Sequence, residues 1–249
     1  MPIPARSRLL AGSRAGRRAA LVAAALLPAL ALTAGCGGSG GGKQPQPVKA
    51  SGAVPAAELT RALLTSADIP HVQVLPAASK TQLLGGPQKA DPARCQPIAD
   101  QWASQPQHPR QVYAGAMVTD TADPDKNAKA ISLEVIASYR PGEATSVLDA
   151  LAAALRDCDS YRVTRGGVTT TFQVRPVAPG GAPLGDQQVT YTVADPTKGQ
   201  EGTVLVTVVR SGDATAAYET VRADHKTASL RAAIPLKQAA KLRAAATGN

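Results

Sequence analysis

Apolar and polar positions change their rhythm several times along this chain. Residues 19–34 are almost wholly apolar. Residues 37–55 lack apolar periodicity and are rich in Gly, Pro, Gln and Ser. Beyond them, Leu59, Leu63 and Leu64 recur at helical spacing and predict a short helix over 56–67, stopped by Pro70. Val72–Leu75 reads as a short strand, 76–92 as loop, and Cys95–Trp102 as a short helix. Val112–Thr119 and Ile131–Tyr139 are β-type runs joined by the polar loop 120–129. Val147, Leu148, Leu151 and Leu155 form one stripe of a helix over 143–156, with Glu143 in its first turn, where the macrodipole favours an acid.

The second half alternates with period two. Tyr161–Arg165 and Val168–Val177 flank Gly166-Gly167, a hairpin signal. Gln188–Ala194, Thr203–Arg210 and Thr215–Val221 are the next strands. Pro235 suits the first turn of a final helix to Ala246, with Leu236, Ala239, Ala240 and Leu242 expected on its inner face. Runs of strands with helices at three places predict an α+β domain with a mainly antiparallel, twisted sheet and helices packed on it.

The N-terminus sets the compartment. Arg6, Arg8, Arg14, Arg17 and Arg18 precede the 16-residue apolar stretch, which is short for a membrane span. Leu32-Thr33-Ala34-Gly35-Cys36 then reads as a lipobox, with Leu at −4 in place of the usual −3. Residues 1–35 are thus expected to be a lipoprotein signal peptide. Cys36 becomes the acylated first residue of a tether over 36–55, and 56–249 form the extracytoplasmic domain. Two acyl chains anchor stably, so the membrane is a partner through lipid and the protein sits on the outer face of the cell membrane.

Removing the signal changes the charge. Its five arginines carry much of the net +9, leaving +4 over the 214 residues from Cys36. That argues against a nucleic-acid partner. Aromatics are scarce, with Phe172, Trp102 and five tyrosines, so stacking platforms look thin. With Cys36 acylated, Cys95 and Cys158 remain. Outside the cytoplasm they are expected to pair, the alternative being free thiols or a redox pair, which would lack the C-x-x-C form.

Asp123, Asp125, Asn127 and Glu134 stand at positions 1, 3, 5 and 12 of a calcium loop. Position 6 is Ala128 where Gly is wanted, and the flanks read as strands, so a polar hairpin loop is the competing reading. His71, His108 and His225 are far apart without metal spacing, and no G-x-S-x-G elbow occurs in the domain. No catalytic residue and no cofactor is assigned. After Asp224 the chain is basic, and Lys237, Lys241 and Arg243 are candidates for contact with an anionic surface; a solvated helix face is the plainer reading.

Leu63-Leu64-Thr65-Ser66-Ala67-Asp68-Ile69-Pro70, the helix ending at Asp157-Cys158, Leu184-Gly185-Asp186 and Val208–Asp213 together resemble the extracellular sensor domain of PknH-type receptor kinases, and secreted actinobacterial lipoproteins. The resemblance spans about 59–242. It implies a twisted sheet beside helices with a ligand cleft. The expected function is a non-catalytic binding or sensor-like lipoprotein that takes a small ligand, a wall component or an envelope protein. A carrier of an apolar molecule is the second reading and an envelope hydrolase the third.

Overall fold

A computed structural model describes residues 53–178 and 180–247. Among the described residues nine strands form one antiparallel sheet in the order β1-β3-β4-β9-β8-β7-β6-β5-β2. They are β1 (Val72–Pro76), β2 (Ala90–Asp91), β3 (Val112–Asp120), β4 (Ala130–Ser138), β5 (Ser160–Arg165), β6 (Val168–Pro176), β7 (Gln187–Ala194), β8 (Thr203–Ser211) and β9 (Ala214–Arg222). The helices are α1 (Ala56–Arg61), α2 (Gln96–Ala99), α3 (Glu143–Asp157) and α4 (Ala233–Thr247), with several short 3-10 turns. The expected α+β class, the antiparallel sheet and the Cys95–Cys158 bridge are all present.

Both faces of the sheet are covered, which makes three layers. Side chains alternate along each strand, so β9 sends Ala214, Ala216 and Tyr218 to one face and Ala217 and Glu219 to the other. The first face packs on α1 and α4 through Leu59, Ile136, Tyr218, Ile234 and Leu242. The second packs on α2 and α3 through Ile98, Leu148, Leu151, Tyr191 and Val208. The bridge joins the turn before α2 to the residue following α3, and both cysteines are buried. Arg94 Nε donates to the Asp157 carbonyl at 2.9 Å across the same junction.

The hairpin β5–β6 turns at Gly166 and Gly167, whose φ of 54° and 81° lie where only glycine is at ease. Three sequence expectations need correction. The first helix ends at Arg61, because Leu63 and Leu64 bury in an irregular turn where Asp68 accepts from the Thr65 amide and hydroxyl. The segment 76–92 is not all loop: Ala90 and Asp91 form β2 against β5, too short a strand to show a period.

The third concerns α4, which starts two residues before Pro235 and turns a different face inward. Ile234, Pro235, Gln238, Ala239 and Leu242 are buried, whereas Leu236 and Ala240 are exposed. Gln238 decides the phase. Its side chain accepts from the Leu64 amide at 3.1 Å and donates to the Ala62 carbonyl at 2.8 Å, so it satisfies backbone groups that the end of α1 leaves open. Gln238→Leu keeps the volume and strands two buried backbone groups. A loss of about 2 to 4 kcal/mol in urea unfolding is the expected outcome. A loss below about 1 kcal/mol would mean that water replaces the amide.

Candidate ligand cleft

Between the second face of the sheet and the segment 81–102 lies a cleft of about 460 Å³. Its floor follows from strand register. Leu133 of β4 stands opposite Glu219 of β9, Glu219 opposite Val206 of β8, and Val206 opposite Tyr191 of β7. Tyr161 and Phe172, a facing pair on β5 and β6 with ring centroids 5.3 Å apart, extend it. The roof is Leu83, Leu84 and Gly85 together with Ile98 and Trp102.

The roof is held by polar contacts that keep irregular backbone in place. The Gly85 amide donates to the Trp102 carbonyl at 2.8 Å and the Ser104 amide to the Gly85 carbonyl at 3.1 Å. Arg110 spreads its guanidinium over the carbonyls of Asp100, Gln101 and Ala103 at 2.7 to 2.8 Å. Asp100 accepts from Gln96 and from the Gln107 amide. Gly115 on β3 lets the roof descend: a Cβ there would sit 2.6 Å from the Leu83 side chain.

Two buried polar atoms beside the cleft are unmatched. The buried Tyr191 hydroxyl and the buried Trp102 Nε1 have no hydrogen-bond partner. Burial pushes the Glu219 carboxyl up to about 7. Burial, reinforced by Tyr161 and Glu219, holds the Tyr191 phenol well above its usual range. Tyr161 is raised to about 12, first by burial and then by Glu219, with Arg165 acting the other way. Buried polar atoms are nearly always paired in folded proteins, by protein, water or ligand. Four of the seven aromatics of the chain converge here.

The other candidates fall elsewhere. Asp123, Asp125 and Asn127 lie in the exposed β3–β4 loop, where Asp123 accepts from the Asp125 amide and Asp125 from the Asn127 amide, each at 2.9 Å. Glu134 is not with them. It sits in the middle of β4, fully buried, on the face that meets α1 and α4, opposite Tyr218. The four residues of the calcium pattern therefore do not converge, because the twelfth position belongs to a strand whose register points it into the core. Burial raises Glu134 to about 7, while Tyr218 and the charge of Lys241 act to lower it. Its oxygens and the Tyr218 hydroxyl nevertheless make no well-formed hydrogen bond. Among the described residues no group of three or more His, Cys, Asp or Glu could hold a metal ion.

The basic residues of α4 have acid partners. Lys241 donates to Asp68 at 2.8 Å and to the Leu63 carbonyl at 2.6 Å. Lys237 lies 3.7 Å from Asp68, and Arg243 3.6 Å from Asp186. An anionic surface would have to compete with these contacts. Cys36 and the signal segment lie outside the described residues. Among the described residues, no helix is long and apolar enough to cross a membrane.

A single antiparallel sheet lies between two helical layers, with a cleft roofed by a disulfide-tied segment, and the class is α+β. The chain belongs to the PknH-like extracellular domain family, whose model matches residues 54–229. That membership places the domain outside the cytoplasm. The fold is similar to the crystal structure of the extracellular domain of PknH from Mycobacterium tuberculosis. The TM-score is 0.52 at 12% identity, covering 80% of this chain and 100% of that one. An uncharacterised protein of Mycobacterium smegmatis is also similar, with a TM-score of 0.34 and 15% identity over 76% of this chain and 97% of that one. A search of curated protein sequences finds no match.

The cleft was hidden from sequence reasoning because its residues run from Thr81 to Glu219 and come from several elements. One signal was available. Glu219 is the one acid of β9, in a run of Ala, Thr, Val and Tyr that ends at Arg222, and a lone acid in such a run marks a special environment.

Proposed function

We propose that this is a non-catalytic, extracytoplasmic binding domain, tethered to the outer face of the membrane through acylated Cys36. Its cleft captures a small molecule with an apolar face. The observation that carries the reading is the convergence of Trp102, Tyr161, Phe172 and Tyr191 around two unpartnered polar atoms and Glu219. Apolar walls with a few convergent polar groups are what ligand sites are made of. The described lining holds one carboxylate and no histidine or cysteine. Such a set suits recognition better than acid–base or nucleophilic chemistry, which needs a paired base or acid. Family membership supports a role at the cell exterior. In that setting the natural use of a tethered binder is to report or retain a molecule of the envelope.

The carrier reading has its own support, since the cleft is open on one side to further apolar sheet surface. Native mass spectrometry of the full mature protein, purified gently from its own envelope, separates the possibilities. A retained small mass that Tyr191→Ala protein lacks supports the cleft. Bare protein with a co-purified polypeptide would move the function to a protein partner.

A further inference from the structure

The floor of the cleft continues past Leu133. Leu133 faces Met117 of β3, and Met117 faces Leu75 of β1, so Glu219, Leu133, Met117 and Leu75 lie in one row on the same side of the sheet. Leu75 is 72% exposed and Met117 41%. The next row over carries Ile131 opposite Val221, the latter 36% exposed. Toward the sheet edge that second row turns polar, because Thr119 faces Ile131 and Gln73 faces Thr119. The apolar track is therefore broad beside the cleft and narrows to a single side chain's width over β3 and β1. Three strand spacings give it a length of about 14 Å beyond Glu219.

We propose that the ligand is a single-chain amphiphile. Its head group donates a hydrogen bond to Glu219, and its aliphatic chain runs over Leu133 and Met117 to Leu75. This rests on the reading of the cleft as a binding site. A tapering, one-residue-wide track fits a chain and not a flat protein surface. The head is fixed by complementarity. Glu219 is the one carboxylate of the described lining, and it stands where the track begins. A hydroxyl or amide donates to Glu219, and above about pH 7, where Glu219 sheds its proton, a carboxylate head faces it with like charge. Arg165, the cation of the lining, stands exposed on β5, on the side of Glu219 away from the track.

The test is calorimetric titration at about pH 8, where Glu219 is ionised, of the full mature protein, stripped of bound lipid, with monolauroyl glycerol, monobutyryl glycerol and laurate. All three are kept below their aggregation concentrations. Monolauroyl glycerol is expected to bind one to one, at least about tenfold tighter than either of the others, since the added methylenes are buried on the track. The double variant Leu75→Ser, Met117→Ser changes only surface positions. It should weaken monolauroyl glycerol several-fold and leave monobutyryl glycerol unchanged. Glu219→Gln should erase the discrimination against laurate. Equal affinity for the short and long chains overturns the track while the cleft reading stands. Binding of none of the probes by a protein that still releases some other small mass overturns the amphiphile and keeps the cleft. Binding of none, with no retained mass, removes both. A double variant that changes only oligomeric state would show the track to be a contact between copies, which also overturns the proposal.

Discussion

Replacing Cys95 and Cys158 together with serine will lower the thermal midpoint of the domain by roughly 10 °C. The bridge joins residues 63 apart in sequence, both buried, and closes a long loop. In the chain-entropy description that closure contributes about 4 kcal/mol, and a domain of this size loses a few degrees for each kcal/mol. The damage will not be uniform. The bridge pins the turn before α2 to the end of α3, and α2 leads directly into Trp102, part of the cleft roof. Ligand affinity is therefore expected to fall more than the midpoint alone suggests. Scanning calorimetry of the double variant, and of the unaltered protein with and without reductant, checks it. A midpoint unchanged within about 2 °C would mean the roof is held by the Arg110 and Arg94 contacts without help from the bridge.

The domain will be more stable at pH 4.5 than at pH 8, unusually for a protein with more carboxylates than histidines. Glu134 and Glu219 keep their protons up to about 7 in the folded state, both chiefly because burial disfavours the charged form. Unfolded, they release them near the ordinary value of 4.5. Between those values the folded chain binds more protons, so stability falls as pH rises. Their contribution is complete below about 4.5 and is lost as pH climbs through 7. The loss amounts to a few kcal/mol, on the order of 1.4 per unit of pKa difference.

Acid has the opposite effect on Asp68. Burial raises that carboxyl, but hydrogen bonds from Lys241 and Thr65 outweigh it and hold it at about 2. Its contribution is present above 3.8 and is lost as pH falls through 2. Asp224, held below the carboxylate range chiefly by its hydrogen bond from Arg222, behaves alike. The maximum should thus lie near pH 4 to 5. Urea midpoints across pH 3 to 8 measure the curve. Glu134→Gln and Glu219→Gln should each flatten its alkaline limb, and a midpoint that rises toward pH 8 would contradict the assignment.

The sheet was readable because its strands carry β-branched runs and its turns carry glycine. Gly166-Gly167 alone located one hairpin to the residue. The cysteine pairing followed from compartment and count. What escaped was the phase of elements buried on both sides. With helices over each face, β9 offers Ala216 and Tyr218 to one layer and Ala217 and Glu219 to the other, so alternation of polarity cannot mark the faces. Glu134 misled for the same reason: spacing along the chain suggested a loop ligand, while register sent it into the core. In α4, a buried glutamine is polar by type but core by its hydrogen bonds, and only the partner segment reveals that. The aromatics were counted correctly as few. Their gathering around one cleft is a property of strand order, which no single segment encodes.

Trp102, the chain's one tryptophan, lines with Glu219 the cleft proposed to hold the ligand. Its emission is therefore a reporter of that space alone. Protein purified from its envelope should be measured, stripped of bound molecules by solvent extraction under conditions that leave it folded, measured again, and then given back the extract. A shift of emission on stripping that the extract reverses is expected, and it should be absent in Tyr191→Ala protein. Identical emission in all three states, with the fold intact, would contradict it.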